Sequence, residues 1–218
     1  MEIKRAGVIG SGAVGKSIGS GLIKSGYEVM IGTRLPEKLE EWVVSNGSAA
    51  HAGSVNEAAS FGEVLFLATK WQGNATKSAL EAAGGDNFRK KIVVDITNPL
   101  VPGGNNKPPV LDLKYPKSGG EMIQKWLPGA KVVKAFNIVT AAYMAAPKLK
   151  EGSPDLFICG NDFEAKMWVR MLAQNWGWEV HDLGDLNQSY LLEALALIWI
   201  RYGFLNNHWT HAFKLLRQ

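Results

Sequence analysis

Residues 6–15 read AGVIGSGAVG, and residues 28–38 read EVMIGTRLPEK. The first stretch contains Gly10-Ser11-Gly12-Ala13-Val14-Gly15, a G-x-G-x-x-G run. A short apolar run at 6–9 precedes it, and a helix-forming stretch at 14–24 follows. A strand–turn–helix context of this kind makes the run a dinucleotide-binding fingerprint. Gly10 permits the tight turn, Gly12 lets backbone approach a pyrophosphate, and Gly15 lets the helix pack close to the strand. The helix N-terminus then faces the phosphates with its unpaired N–H groups.

The second stretch selects the dinucleotide. NAD binders place a carboxylate at the end of the second strand, where it accepts from ribose hydroxyls. Here the strand ends in Gly32-Thr33-Arg34. A hydroxyl and a guanidinium stand where a carboxylate would repel a 2′-phosphate, and Arg binds phosphate through paired N–H groups. Lys38 adds a point charge one helical turn on. The reading is NADP(H).

Outward from this unit, strand and helix signals alternate, which predicts an α/β fold of the doubly wound Rossmann type with a mainly parallel sheet. A helix is expected at 37–45, a short strand at 49–52, and a capping box at Ser54-Val55-Asn56-Glu57. The apolar runs at 63–69 and 91–96 read as strands covered on both faces. Residues 101–118, rich in Pro, Gly and Asn, read as a long surface loop. A helix at 119–127 and a strand at 131–136 follow. Then come a strand at 155–159, a helix through 175 and a strand at 179–183, and a closing helix or helix pair runs from about 187. This divides the chain into an NADP-binding domain at 1–130 and a smaller C-terminal α/β extension at 131–218, packed on the first as one unit.

Composition is that of an ordinary globular protein: 218 residues, 46% hydrophobic, 20% charged, net charge +4. The basic residues are scattered, which gives no nucleic-acid footprint. The single cysteine, Cys159, lies in an apolar run and reads as a buried, inert thiol; it fits a reducing compartment. The start of the chain enters the first strand without a signal-peptide pattern. The apolar stretch at 191–200 is interrupted by Glu193 and is too short to span a bilayer. A soluble, cytoplasmic protein with no membrane or nucleic-acid partner is expected, and the apolar closing helix is a candidate surface for a homodimer.

Several segments carry a resemblance: GVIGSGAVG, VMIGTR, ATKW at 68–71, DITNPL at 95–100, KAFN at 134–137 and LFICGND at 156–162. On these the chain resembles the NADPH-dependent oxidoreductases typified by archaeal NADP reductases that use the deazaflavin coenzyme F420. It is also similar to the cytosolic reductase domain of six-transmembrane metalloreductases. The resemblance implies that Ser11, Ala13 and Val14 present backbone to the pyrophosphate, that Thr33 and Arg34 hold the 2′-phosphate, and that Thr69, Lys70 and Trp71 line the nicotinamide-riboside side. It implies that Asn98, Pro99 and Leu100 sit at the nicotinamide, while Ala135, Phe136 and Asn137 border a second cofactor or substrate, F420 or the flavins FMN and FAD. The metalloreductases continue into membrane helices, and from this chain's end at Gln218 that electron route is expected to be missing. The loop at 101–118 and the tail HWTHAFKLLRQ match neither relative well.

Hydride transfer to a flavin-like small-molecule acceptor needs the two rings stacked and water excluded, with no obligatory side-chain acid. The residues agree: there is no Ser/His/Asp set, no H-E-x-x-H and no cysteine metal pattern, so no catalytic side chain and no metal site are assigned. His208 and His211 read as a surface or packed pair, and His51 and His181 as structural. Trp71 reads either as a packing tryptophan or as a wall beside the nicotinamide. Asn98 and Asn137 read either as turn residues or as site residues. A dehydrogenase or imine reductase acting on a small substrate stays open, with Lys70, Tyr143 and Tyr190 its only apparent proton donors. So does a redox-sensing NADP(H)-binding protein without turnover.

Overall fold

A computed structural model describes residues 3–216. One eight-stranded sheet forms its middle layer, in the order β10-β9-β8-β5-β4-β1-β2-β3. The first half comprises β1 (Arg5–Ile9), α1 (Ala13–Lys24), β2 (Glu28–Gly32), α2 (Glu40–Asn46), β3 (Ala50–Gly53), α3 (Val55–Phe61), β4 (Val64–Leu67), α4 (Ala75–Ala83) and β5 (Ile92–Asp95). A two-stranded ribbon follows, β6 (Leu100–Val101) and β7 (Val110–Leu111), and then α5 (Gly119–Trp126). The rest is β8 (Lys131–Lys134), β9 (Asp155–Gly160), α6 (Phe163–Trp176), β10 (Glu179–Asp182) and α7 (Ser189–Asn206).

The strands β3-β2-β1-β4-β5-β8 pair in parallel in the Rossmann order, with the switch point between β1 and β4. β8 lies beyond residue 130 yet pairs directly with β5, so the sheet runs unbroken across the boundary read from the sequence. β9 is antiparallel to β8, with Val133 opposite Gly160, and β10 runs parallel to β9.

Apolar strand residues feed two cores, one on each face. Val8, Phe66 and Val94 pack with Ile18 and Leu22 of α1, Trp42 of α2 and Val169 of α6. Ile9, Leu65 and Val93 pack with Ala58 of α3, Leu80 of α4, Ile123 of α5 and Leu192 of α7. The capping box forms as expected: Glu57 N donates to Ser54 Oγ at 3.2 Å, and Ser54 N donates to Glu57 Oε2 at 2.7 Å.

Two expectations need correction. The stretch at 37–45 is a 3-10 turn at Pro36–Leu39 followed by α2, a tight first turn of the kind common at helix N-termini, with Pro36 fixing φ at its start. The stretch at 101–118 is not wholly a loop. Leu100 and Val101 pair antiparallel with Leu111 and Val110, and the Pro/Gly/Asn-rich segment between them forms the turn. The chain closes on a single helix, α7. Asn207 ends it in the left-handed conformation, and the tail folds back so that Asp155 N donates to Phe213 O at 2.9 Å. Among the described residues no helix is long and apolar enough to cross a membrane.

Candidate active site

The glycine loop shows why each of its glycines is needed. Gly10 has φ +121°, and a Cβ there would lie 2.5 Å from the Ala68 carbonyl oxygen. A Cβ on Gly15 would lie 1.9 Å from the Gly10 carbonyl oxygen, so α1 can approach β1 this closely only with glycine. Gly12, the N-cap of α1, is different: a Cβ there would meet nothing within 4 Å. Its open side is the space a pyrophosphate needs. α1 has no acidic residue in its first turn and no side-chain cap, which leaves its N-terminal amides unclaimed. Such an end binds anions through N–H groups and the helix dipole.

At the end of β2, Ser11 Oγ donates to Thr33 Oγ1 at 2.9 Å and joins the glycine loop to the selecting strand. Thr33 N is anchored on Gly53 O at 2.9 Å. Arg34 and Lys38 are exposed, and neither has an ionic partner among the described residues. Two unpaired cations beside a hydroxyl fit a 2′-phosphate.

A cavity of about 400 Å³ opens at the C-terminal ends of β4 and β5, with Val14, Thr69, Lys70, Trp71, Asn98 and Leu100 among its walls. Ligands of open α/β sheets bind in this position. Thr69 is held by Thr76 through hydroxyls 3.0 Å apart. Trp71 is both a wall and a packing residue. Its Nε1 donates to Asp112 Oδ2 at 3.0 Å, and its ring stacks on Trp126 with centroids 5.7 Å apart. Pro99 is buried behind Leu100, and its carbonyl accepts from Asp112 N at 2.7 Å, which ties the ribbon to the cavity wall.

Asn98 and Asn137 clasp each other. Asn98 Nδ2 donates to the Asn137 carbonyl at 2.8 Å, and Asn137 Nδ2 donates to Asn98 Oδ1 at 2.9 Å and to Leu192 O at 2.9 Å. Asn98 lines the cavity, the buried Asn137 holds it, and Leu192 ties α7 to the pair. Ala135 and Phe136 lie elsewhere. Both are fully buried, and neither is among the residues lining the cavity. Phe136 has φ +59°, which turns the chain off β8, and its ring packs 5.3 Å from that of Trp176.

Beneath the cavity lies a group that the motif reading did not single out. Lys134 Nζ, fully buried, donates to Asp95 Oδ2 at 2.9 Å, to Glu193 Oε1 at 3.0 Å and to the Thr97 carbonyl at 2.5 Å. Asp95 Oδ1 accepts from Thr97 N at 2.8 Å and Thr97 Oγ1 at 2.7 Å. Glu193 accepts from Gly119 N at 3.0 Å and Gly120 N at 3.2 Å, the first amides of α5. Burial opposes the charge on Lys134, but Asp95 and Glu193 outweigh it and hold the ammonium's pKa above the usual lysine value. The sequence did carry a signal: Lys134 and Glu193 are isolated charges inside the apolar runs KVVKAF and LLEALALIWI.

The remaining reactive groups are structural in their geometry. Burial pushes the Cys159 thiol up to about 12, so it stays protonated. Asp155, Glu179 and His181 bring ligand atoms within 4.8 Å of one another. A lysine ammonium already stands among them, with Lys214 Nζ 2.9 Å from Asp155 and 2.6 Å from Glu179. His211 stacks on Trp199 at 4.6 Å, with the His208 ring 5.9 Å away. His51 packs on Phe61, and Tyr190 on Tyr115.

The family model described as NADP oxidoreductase, coenzyme F420-dependent, matches residues 5–99. The F420-dependent NADP reductase of Methanocaldococcus jannaschii is 30% identical over 201 residues, which cover 88% of each chain. Metalloreductase STEAP3 of Rattus norvegicus is 30% identical over 197 residues, covering 90% of this chain. The chain spans only 37% of that protein's length. A solved structure from Arthrobacter sp. FB24, described as a candidate F420-dependent NADP reductase, superposes with a TM-score of 0.91 at 35% identity, covering 99% of this chain and 100% of that one. The chain belongs to the coenzyme F420-dependent NADP oxidoreductase family.

Proposed function

We propose that this protein transfers hydride between NADPH and a flavin-like acceptor, either coenzyme F420 or a flavin. The observation that carries the reading is the cavity's position. It opens beside the anion-ready end of α1, at the C-terminal ends of β4 and β5, with an indole on its wall. When bound, the nicotinamide supplies hydride from its carbon four to the acceptor ring.

Each group of the chain then has a physical task. Gly12 and the first amides of α1 receive the pyrophosphate, while Thr33, Arg34 and Lys38 receive the 2′-phosphate. Thr69, Lys70 and Trp71 would line the nicotinamide-riboside side, and Asn98, held by Asn137, would stand at the nicotinamide. Trp71 keeps its indole in place through Asp112 and Trp126 and helps exclude water. Orientation of this kind supplies rate without a side-chain acid. Asn137 borders the acceptor through its clasp with Asn98, whereas Ala135 and Phe136 support it from the core.

The test is stopped-flow oxidation of protein-bound NADPH against FMN, FAD, riboflavin and F420, with NADH as control. Fast, saturable oxidation by one of these establishes the reading and names the acceptor. Tight NADPH binding with no oxidation by any of them points instead to a small organic substrate or to a sensor.

A further inference from the structure

The Asp95–Lys134–Glu193 network is fully buried and lies directly under the cavity wall. Every carboxylate oxygen in it meets only donors: Thr97 N, Thr97 Oγ1 and Lys134 Nζ on Asp95, and Lys134 Nζ and the Gly119 and Gly120 amides on Glu193. A carboxylate is acceptor-only when ionised, so this environment suits two anions. One ammonium balances one of them. The network therefore holds a surplus negative charge, tempered by the N-terminal dipole of α5. Lys70, the cation on the cavity rim, is exposed and screened by water, whereas the buried group is not. Thr97 takes part in the network through both its N–H and its hydroxyl, and it lines the cavity with its neighbour Asn98.

The nicotinamide ring is neutral when reduced and carries a positive charge when oxidised. We propose that the Asp95–Lys134–Glu193 network is a positioning and charge-setting device for the nicotinamide: it fixes Thr97 and Asn98 in the wall and favours the oxidised, cationic ring over the reduced one. The inference rests on the NADP(H) reading of the cavity. The electron balance is that of the proposed reaction. The carbon-four C–H bond breaks, hydride carries two electrons to the acceptor ring, solvent supplies the one proton that completes the acceptor's reduction, and the ring left behind gains one positive charge. The network neither gives nor takes a proton in this balance. Its effect is to stabilise the charge that appears.

The readout is a pair of equilibrium constants, which needs no turnover. Calorimetric titration of the wild-type protein with NADPH and with NADP gives two dissociation constants, and the same titrations are repeated on Glu193→Gln and Asp95→Asn. Each variant removes the surplus charge while leaving Lys134 one carboxylate partner. The wild-type protein should bind NADP at least as tightly as NADPH. In both variants the ratio of the NADP constant to the NADPH constant should rise about three- to tenfold, the size expected for one buried charge acting at a medium-range distance through protein. The NADPH constant should change less than about twofold. A wild-type ratio already more than about tenfold in favour of NADPH overturns the proposal, whether or not the variants fold. So does an equal loss of affinity for both forms, which is the signature of a purely structural network. No binding of either form would instead overturn the NADP(H) reading, and the inference with it.

Discussion

The two ends of the sheet treat charge in opposite ways. At the β1–β2 end, the cations Arg34 and Lys38 and the first amides of α1 are left without protein partners among the described residues. At the β8–β10 end the lysines have carboxylate partners within the chain. Lys134 is tied to Asp95 and Glu193, Lys166 to Asp182 at 2.9 Å, and Lys214 to Asp155 and Glu179. Both ends follow one rule. A polar group must find a partner, and where the chain supplies none, a ligand or water does. Unmatched donors suit the anionic cofactor of the proposed function. Matched ones mark the structure that supports it.

The comparison breaks most visibly at Lys134. Lys134→Met leaves two buried carboxylates without their counter-ion, and removing one partner of a buried pair costs about 3–5 kcal/mol. Denaturant unfolding should show that loss; a variant as stable as wild type would mean that the network is not holding α7 to the sheet. Next is Arg34→Ala at the open end. Stability should stay within about 0.5 kcal/mol. The NADPH dissociation constant should rise about 10- to 100-fold, the worth of charge-assisted hydrogen bonds to phosphate, and NADH binding should not move. Equal weakening of both nucleotides would take Arg34 away from the 2′-phosphate.

Within the glycine loop the same contrast can be drawn with a single methyl group. Gly15→Ala places carbon against the Gly10 carbonyl and should cost about 1–3 kcal/mol of stability by overpacking. Gly12→Ala meets only open space, so the melting temperature should hold while NADPH affinity falls about tenfold. Melting curves and nucleotide titrations of the two variants check this, and equal melting losses would remove the distinction.

The smallest effect is expected at the tail. Burial would raise the pKa of Asp155, but the Leu215 amide, Lys214 and His181 together hold it below the ordinary carboxylate value. A depressed folded-state pKa contributes stability above the unfolded value, about 3.9, and that contribution is lost as pH falls through the folded value. Wild type should therefore exceed Asp155→Asn in melting temperature at about pH 7, with the gap closed by about pH 2. NADPH affinity should be the same in both. A gap that persists in acid would show that packing, not the charge, anchors the tail.

What was legible in the sequence was what is local. Gly10, Gly12 and Gly15 lie within six residues, and their spacing alone gives the turn, the approach and the packing. Ser54 and Glu57 predicted their own cap. Thr33 and Arg34 follow from where β2 must end. The ionic network was not legible in this way, because Lys134 lies 39 residues from Asp95, and Glu193 lies 74 from Gly119. Each appears in sequence only as a lone charge in an apolar run, and nothing local says that the charges meet. The place of Phe136 beside an acceptor came only from the resemblance, and nothing local in KAFN announces the left-handed backbone that turns its ring into the core.

Trp71 makes the cavity optically readable. Its indole forms part of the wall, clamped by Asp112 and stacked on Trp126. Reduced nicotinamide absorbs where tryptophan emits and the oxidised ring does not, so on the proposed function a reduced ring in the cavity would drain excitation from this pair by energy transfer. The pair would then serve as a built-in fluorophore whose brightness reports, without any label, the redox state of a bound nucleotide.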